Sequence, residues 1–197
     1  LDRSWASPPG GIWASVVIRP SLPPDRLPLL TLAAAVAVVE VIAPLGVAAT
    51  IKWPNDVLVA VDGEERKLAG VLTESGGTGE STTWVVVGIG LNANIDPARL
   101  PPGSTSLADL TGHDVDRVAV TEALLRRFDR YRDDPAGTLV AWRHHASTLG
   151  RGVRVETAEG YIEGEATDID GAGRLLVDTG TSLVSVAAGD CQHLRTG

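Results

Sequence analysis

The sequence predicts an α+β protein in which helices lie beside a β-sheet, followed by a small, separate β-module. Three observations carry this. Short β-branched runs bounded by turn residues recur between Trp13 and Leu91. Two stretches, residues 29–39 and 118–131, repeat apolar side chains at spacings of three and four, the helical period. At Leu149-Gly150 the texture changes to five strand-like runs in about 50 residues, which fits a small closed barrel.

The elements follow in order. Residues 13–19, Trp-Ala-Ser-Val-Val-Ile-Arg, read as a strand. Asp25 is the expected cap of a first helix, with Pro28 in its first turn and Leu29, Leu32, Val36 and Val39 along one side. Its other side is mostly alanine, so it should be covered on several sides, and Pro44 and Gly46 end it. Residues 50–53 form a short strand, and 57–61 and 68–73 form a hairpin around Asp62-Gly63. Residues 75–81 are glycine-rich and predict a turn. Residues 84–91 are continuously apolar and predict a central strand covered on both faces.

Residues 105–110 suggest one helical turn. Asp114 or Asp116 caps a helix with Val118, Thr121, Leu125, Phe128 and Tyr131 on one face, and Arg126, Arg127, Arg130 and Arg132 largely on the solvated one. Another helix spans about residues 137–147. Short strands follow at 153–156, 161–167, 174–178, 181–186 and 192–195. The division falls near residue 150, giving regions 1–148 and 149–197.

Composition narrows the function. The chain has 197 residues, 44% of them hydrophobic and 21% charged, which excludes a disordered or collagen-like chain. A single cysteine, Cys191, rules out an internal disulfide and fits a reducing, cytoplasmic setting. Basic residues number 17 against 25 acidic, a net charge of −8, which argues against broad binding to nucleic acid or anionic membranes. The most apolar run, residues 27–49, is broken by Pro28, Glu40, Pro44 and Gly46. It is expected to fall short of the roughly 20 clean residues of a membrane span. It also lacks the layout of a signal peptide.

The chemistry concentrates between residues 52 and 92. Among the basic residues only Lys52 and Lys67 are lysine; all others are arginine. Lysine presents a compact point charge where arginine presents a planar fork, so a ligand approached by one small ammonium would require it. In Lys52-Trp53-Pro54-Asn55-Asp56, Pro54 fixes the backbone and pushes Trp53 to an extended conformation. A cation, an amide and a carboxylate then share one strand end. Two readings stay open: a turn facing phosphate and its metal, or an ordinary polar turn. Gly70 lies inside a strand, and Gly88-Ile89-Gly90-Leu91-Asn92 ends one. Glycine there marks a bulge or a closely approaching ligand. Arg3 and Trp5 offer a cation and an aromatic platform. His144-His145 are adjacent on a helix and make a poor metal pair.

Lys-Trp-Pro-Asn-Asp at 52–56, Arg66-Lys67-Leu68-Ala69-Gly70-Val71-Leu72 and Gly88-Ile89-Gly90-Leu91-Asn92, in this order and spacing, closely resemble the biotin protein ligase family. The resemblance covers nearly the whole chain. It implies a mixed central sheet flanked by helices and an SH3-like C-terminal barrel. It implies a reaction in which biotin and Mg-ATP give biotinyl-5′-AMP, followed by transfer to a lysine of a biotin carboxyl carrier protein. Under it, Lys67 contacts the carboxylate and acyl-phosphate, and Lys52 neutralises phosphate charge. Asn55 and Asp56 order the phosphates or magnesium, with Asp56 the candidate metal contact. Gly70, Leu72, Gly88 and Gly90 line the biotin pocket, and Arg3, Trp5 and Asn92 hold the adenylate. It implies a monomer or weak homodimer.

The family's Gly-Arg-Gly-Arg run and a Ser/Thr-Asn biotin contact would precede Leu1, and Asp2 stands where glycine is usual. The chain is therefore expected to lack its first strands and most of that loop, and to be a weak enzyme as it stands. The rival readings are a lipoate or octanoate ligase or transferase on a similar scaffold, and an inactive fragment that only binds ligand or carrier.

Overall fold

The structure, a computed structural model, describes residues 7–20, 22–78 and 81–194, with the side chains of residues 78 and 81 left aside. The first sheet holds strands β1 (Ile12–Ile18), β2 (Ala49–Lys52), β3 (Asp56–Val61), β4 (Glu64–Thr78) and β5 (Ser81–Leu91) in the order β1-β5-β4-β3-β2. All of its ladders are antiparallel. The expected mixed sheet is therefore antiparallel among the described residues, with parallel pairing only in the isolated bridges Ile51–Ala146 and Lys67–Ser104. Asp62 and Gly63 both take positive φ, 53° and 81°, the geometry a two-residue hairpin needs to match strand twist. Where glycines 76 and 77 predict a turn, β4 continues in ladder with β5.

The sheet has one covered face. Val85, Val87, Ile89 and Leu91 of β5 are buried, while Trp84 between them and the loop is 42% exposed. So β5 lies second from the edge among the described residues and alternates, rather than being covered on both faces. The covering element is α1 (Pro28–Ile42), which packs across the sheet on one side and against α3 (Arg117–Arg132) and α4 (Pro135–His145) on the other. Its alanines let these neighbours approach closely, and residues 32–39 are all buried. Asp25 does not cap it. It sits in a short 3-10 turn, and Leu27 takes the cap position. The run Pro24–Leu45 is, contrary to expectation, long and apolar enough to cross a membrane by length and composition, yet 72% of its most apolar window is buried inside the protein.

Helix α2 (Leu107–Thr111) is capped by Ser106 and α3 by Asp116, whose carboxylate accepts from the amides of Val118 and Ala119. The buried face of α3 is Val120, Leu124, Phe128 and Tyr131; Val118 and Leu125, expected inside, are exposed. Packing on α1 selects this face, because Tyr131 donates to the Glu40 carboxylate and Arg127 pairs with it.

The second sheet contains β6 (Gly152–Thr157), β7 (Gly160–Ile169), β8 (Leu175–Asp178), β9 (Leu183–Val186) and β10 (Asp190–His193), in the order β10-β6-β7-β8-β9. All five expected strands form. Ladder pairing leaves β10 and β9 as its two ends, with no ladder joining them among the described residues. It is tied to the first region by Arg143, whose guanidinium donates to Asp168 at 2.6 Å and to the Ile169 carbonyl at 2.7 Å.

Candidate active site

The turn at residues 52–56 is built from both regions. Lys52 and Asp56 are register partners at the ends of β2 and β3. Trp53 is 1% exposed; its amide donates to Thr148 Oγ1 at 2.9 Å and its indole to the Gly173 carbonyl at 3.3 Å. The Trp53–Pro54 peptide is cis. Asn55 clasps β4 twice: its carbonyl accepts from the Val71 amide at 3.0 Å, and its Nδ2 donates to the Val71 carbonyl at 2.6 Å.

A bulge sets the next piece. Val57 faces Ala69 and Leu58 faces Lys67, so Leu68 is an extra residue in β4. Leu68 and Ala69 are both buried toward the core. The extra residue restores Lys67 to the side that Gly70 occupies; regular alternation would have turned it away. Lys67 Nζ then reaches Asp56 Oδ1 at 2.5 Å. Its backbone is held by the loop at 101–105, donating to Gly103 at 2.8 Å and accepting from Thr105 at 3.0 Å. Asn92 fixes the same loop: its Nδ2 donates to the Thr105 carbonyl at 3.0 Å, its amide donates to Leu68, and its carbonyl accepts from Leu107.

These residues enclose a cleft of about 330 Å³, lined by Lys67, Gly70, Gly90 and Asn92 together with Trp13 and Arg99. Gly70, Gly90 and Trp13 form one row across β4, β5 and β1. The next row on the same face is Leu72, Gly88 and Ser15, and it floors a hollow of about 260 Å³ that Trp13 also lines. A Cβ at Gly88 would come no closer than 3.4 Å to the Leu72 carbonyl. Asn55 and Leu72 line a third cleft, about 460 Å³, which reaches the second sheet at residues 187–189.

The sequence-derived residues thus fall into places of different kinds. Lys67, Gly70, Gly90 and Asn92 meet in one cleft, with Asp56 joined through its ion pair. Leu72 and Gly88 share the adjoining hollow. Lys52 lines neither. It lies toward β10, where its charge opposes burial at the Cys191 thiol, which burial pushes up to about 11. Arg3 and Trp5 lie outside the described residues. Trp13, Ser15 and Arg99 were missed. Alternation in β1 places Trp13 and Ser15 on one face, but only the ladder to β5 shows that the glycines share it. Among the described residues no group of three His, Cys, Asp or Glu could hold a metal ion. Magnesium commonly takes one or two carboxylates and completes its shell with phosphates and water; the carboxylate beside this cleft is Asp56, which here pairs with Lys67.

Comparison with known proteins gives concordant matches. The profile of the Biotin/lipoate A/B protein ligase family matches residues 1–92, and that of the Biotin protein ligase C terminal domain matches residues 148–194. The biotin--[acetyl-CoA-carboxylase] ligase of Mycobacterium tuberculosis is 37% identical over 204 residues, covering 98% of this chain and 73% of that protein. The bifunctional ligase/repressor BirA of Bacillus subtilis is 35% identical over 205 residues, and the match spans only 61% of its length. Among solved structures, the biotin protein ligase from Aquifex aeolicus in complex with biotin and ATP aligns with a TM-score of 0.79 at 26% identity, covering 98% of this chain and 82% of that one.

Proposed function

The chain belongs to the biotin protein ligase family, and from that premise we propose that it activates biotin with ATP and transfers it to a lysine of a biotin carboxyl carrier protein. A biotin carboxylate oxygen attacks the α-phosphorus, the bond to the β-phosphate oxygen breaks, and pyrophosphate leaves. The carrier amine then attacks the acyl carbon, the acyl–phosphate bond breaks, AMP departs and the amine loses a proton.

One observation supports this above the others: Lys67 beside a floor made bare by Gly70 and Gly90. The ammonium would stabilise charge on the carboxylate and α-phosphate, and adenylation needs positioning and charge stabilisation more than a protein nucleophile. The adjoining hollow at Leu72 and Gly88 suits the bicyclic ring, with Gly90 at the join. Asn92 would face the adenylate, with Arg3 and Trp5 completing its site. Asp56 would release Lys67 to the acyl-phosphate and take magnesium; Asn55 would keep the turn at the phosphates, and Lys52 would add long-range positive charge. Magnesium would supply charge neutralisation of the triphosphate. Residues 1–148 would form the ligase domain and 149–197 the C-terminal domain, in a cytoplasmic monomer or weak dimer. The net charge supports no nucleic-acid or membrane role for this chain.

The match to the C-terminal domain of biotin ligases favours biotin over lipoate. The test is incubation with biotin, Mg-ATP and a purified carrier domain, read as a mass gain of one biotinyl group. Transfer of lipoate or octanoate with none of biotin would overturn the reading.

A further inference from the structure

A polar chain anchored on a buried threonine crosses from the second sheet to the turn at 52–56. Thr148 is fully buried, and its Oγ1 accepts from the Trp53 amide at 2.9 Å and lies 3.1 Å from His193 Nε2. The other ring nitrogen, Nδ1, lies 3.1 Å from Arg151 Nη1. A guanidinium only donates, so Nδ1 must accept and the ring proton sits on Nε2. Nε2–H therefore donates to Thr148, which gathers two donors, one from His193 and one from the Trp53 backbone. Arg151 also pairs with Glu65 of β4 at 3.1 Å, two residues before Lys67.

We propose that His193, in its neutral form, is a positioning residue for the adenylation step, holding the Trp53 backbone through Thr148 and thereby placing Asn55 and Asp56. The inference rests on the ligase reading above. The groups that face the ring are Arg151 from the connection, Glu65 from β4 and Lys52 from β2. Burial first, then Arg151, lowers the His193 pKa; Lys52 lowers it further, and Glu65 acts the other way. Protonation would put a second N–H against the Arg151 guanidinium. The imidazolium would turn to the Glu65 carboxylate, 3.7 Å from Nδ1, and release Thr148.

The experiment uses the full chain with His193→Ala and His193→Gln. Glutamine keeps an N–H donor near Nε2 and cannot titrate. At about pH 8, His193→Ala should lower kcat for biotin-dependent pyrophosphate release about 10- to 100-fold, the cost of misplacing a site by a fraction of an ångström. KM for biotin should stay within about twofold. His193→Gln should recover most of the rate and should not lose it as pH falls below about 6.5, whereas the native protein should. In the native protein the Trp53 amide resonance should titrate together with the His193 ring. An unchanged kcat in His193→Ala, a shared acid limb in His193→Gln and the native protein, or a Trp53 amide indifferent to His193 would each overturn the proposal. If the native protein releases no pyrophosphate with biotin, the ligase reading fails, while the Trp53 resonance still decides whether His193 holds the turn.

Discussion

Lys67 and Asp56 meet at 2.5 Å although they are not register partners; Asp56 lies opposite Gly70, and Lys67 reaches it past the extra residue Leu68. The pair therefore exists because of a bulge. It is partly exposed at both ends, so its worth to stability is small, about 0–1 kcal/mol. Its significance is to hold an ammonium over the glycine floor.

Lys67→Arg should lower biotin-dependent pyrophosphate release at least about 100-fold, because a planar fork cannot place one small donor on a carboxylate beside Asp56. The melting temperature should stay within about 2 °C. Near-native release would remove Lys67 from the chemistry.

Gly88→Ala separates packing from binding. The added Cβ meets the Leu72 carbonyl at 3.4 Å, an ordinary contact, so the fold should be unaffected. A ligand in the hollow would lose that space, and biotin affinity should fall at least about 10-fold by calorimetry. A parallel loss of thermal stability would show that the strand itself is disturbed.

Gly173→Ala should destabilise the junction of the two sheets. Its φ is +82°, and a Cβ there would sit 2.9 Å from Leu32 Cδ1, beside the carbonyl that accepts the Trp53 indole. A loss of about 1–3 kcal/mol is expected in denaturant melts.

Acid should weaken the fold as pH falls below about 6.5. His145 and His193 both have lowered pKa values, chiefly through burial. The unfolded chain then binds protons that the folded one refuses. Their contribution is fully present above the unfolded value and is lost as pH falls through the folded one. Asp168, held low by its hydrogen bond from Arg143, acts only below about pH 4. Urea midpoints across this window should flatten in the His145→Gln, His193→Gln double variant.

Much of this was legible in residues 12–91 because β-branched runs and turn pairs are local signals; Asp62-Gly63 is the clearest case. The Lys52–Asp56 motif and the lysine bias pointed to the site without any geometry. Three things needed the third dimension. The bulge at Leu68 leaves no mark in an apolar run, yet it decides which way Lys67 faces. The buried stripe of α3 could have begun at Val118 or Val120, and only α1 chooses. Lys52 stands out by residue type alone, and only the structure shows its strand end toward β10.

Helix α1 has consequences for how the chain reaches this state. A helix whose residues 32–39 are apolar all round offers little to water, so it has no stable resting place until the sheet, α3 and α4 surround it. During synthesis its residues are complete long before α3 and α4 exist. The nascent chain therefore carries a segment that a lipid bilayer or another unfinished chain would accept. Its amide protons should exchange only through global opening, which ties the folding of the first sheet to the arrival of the last helices.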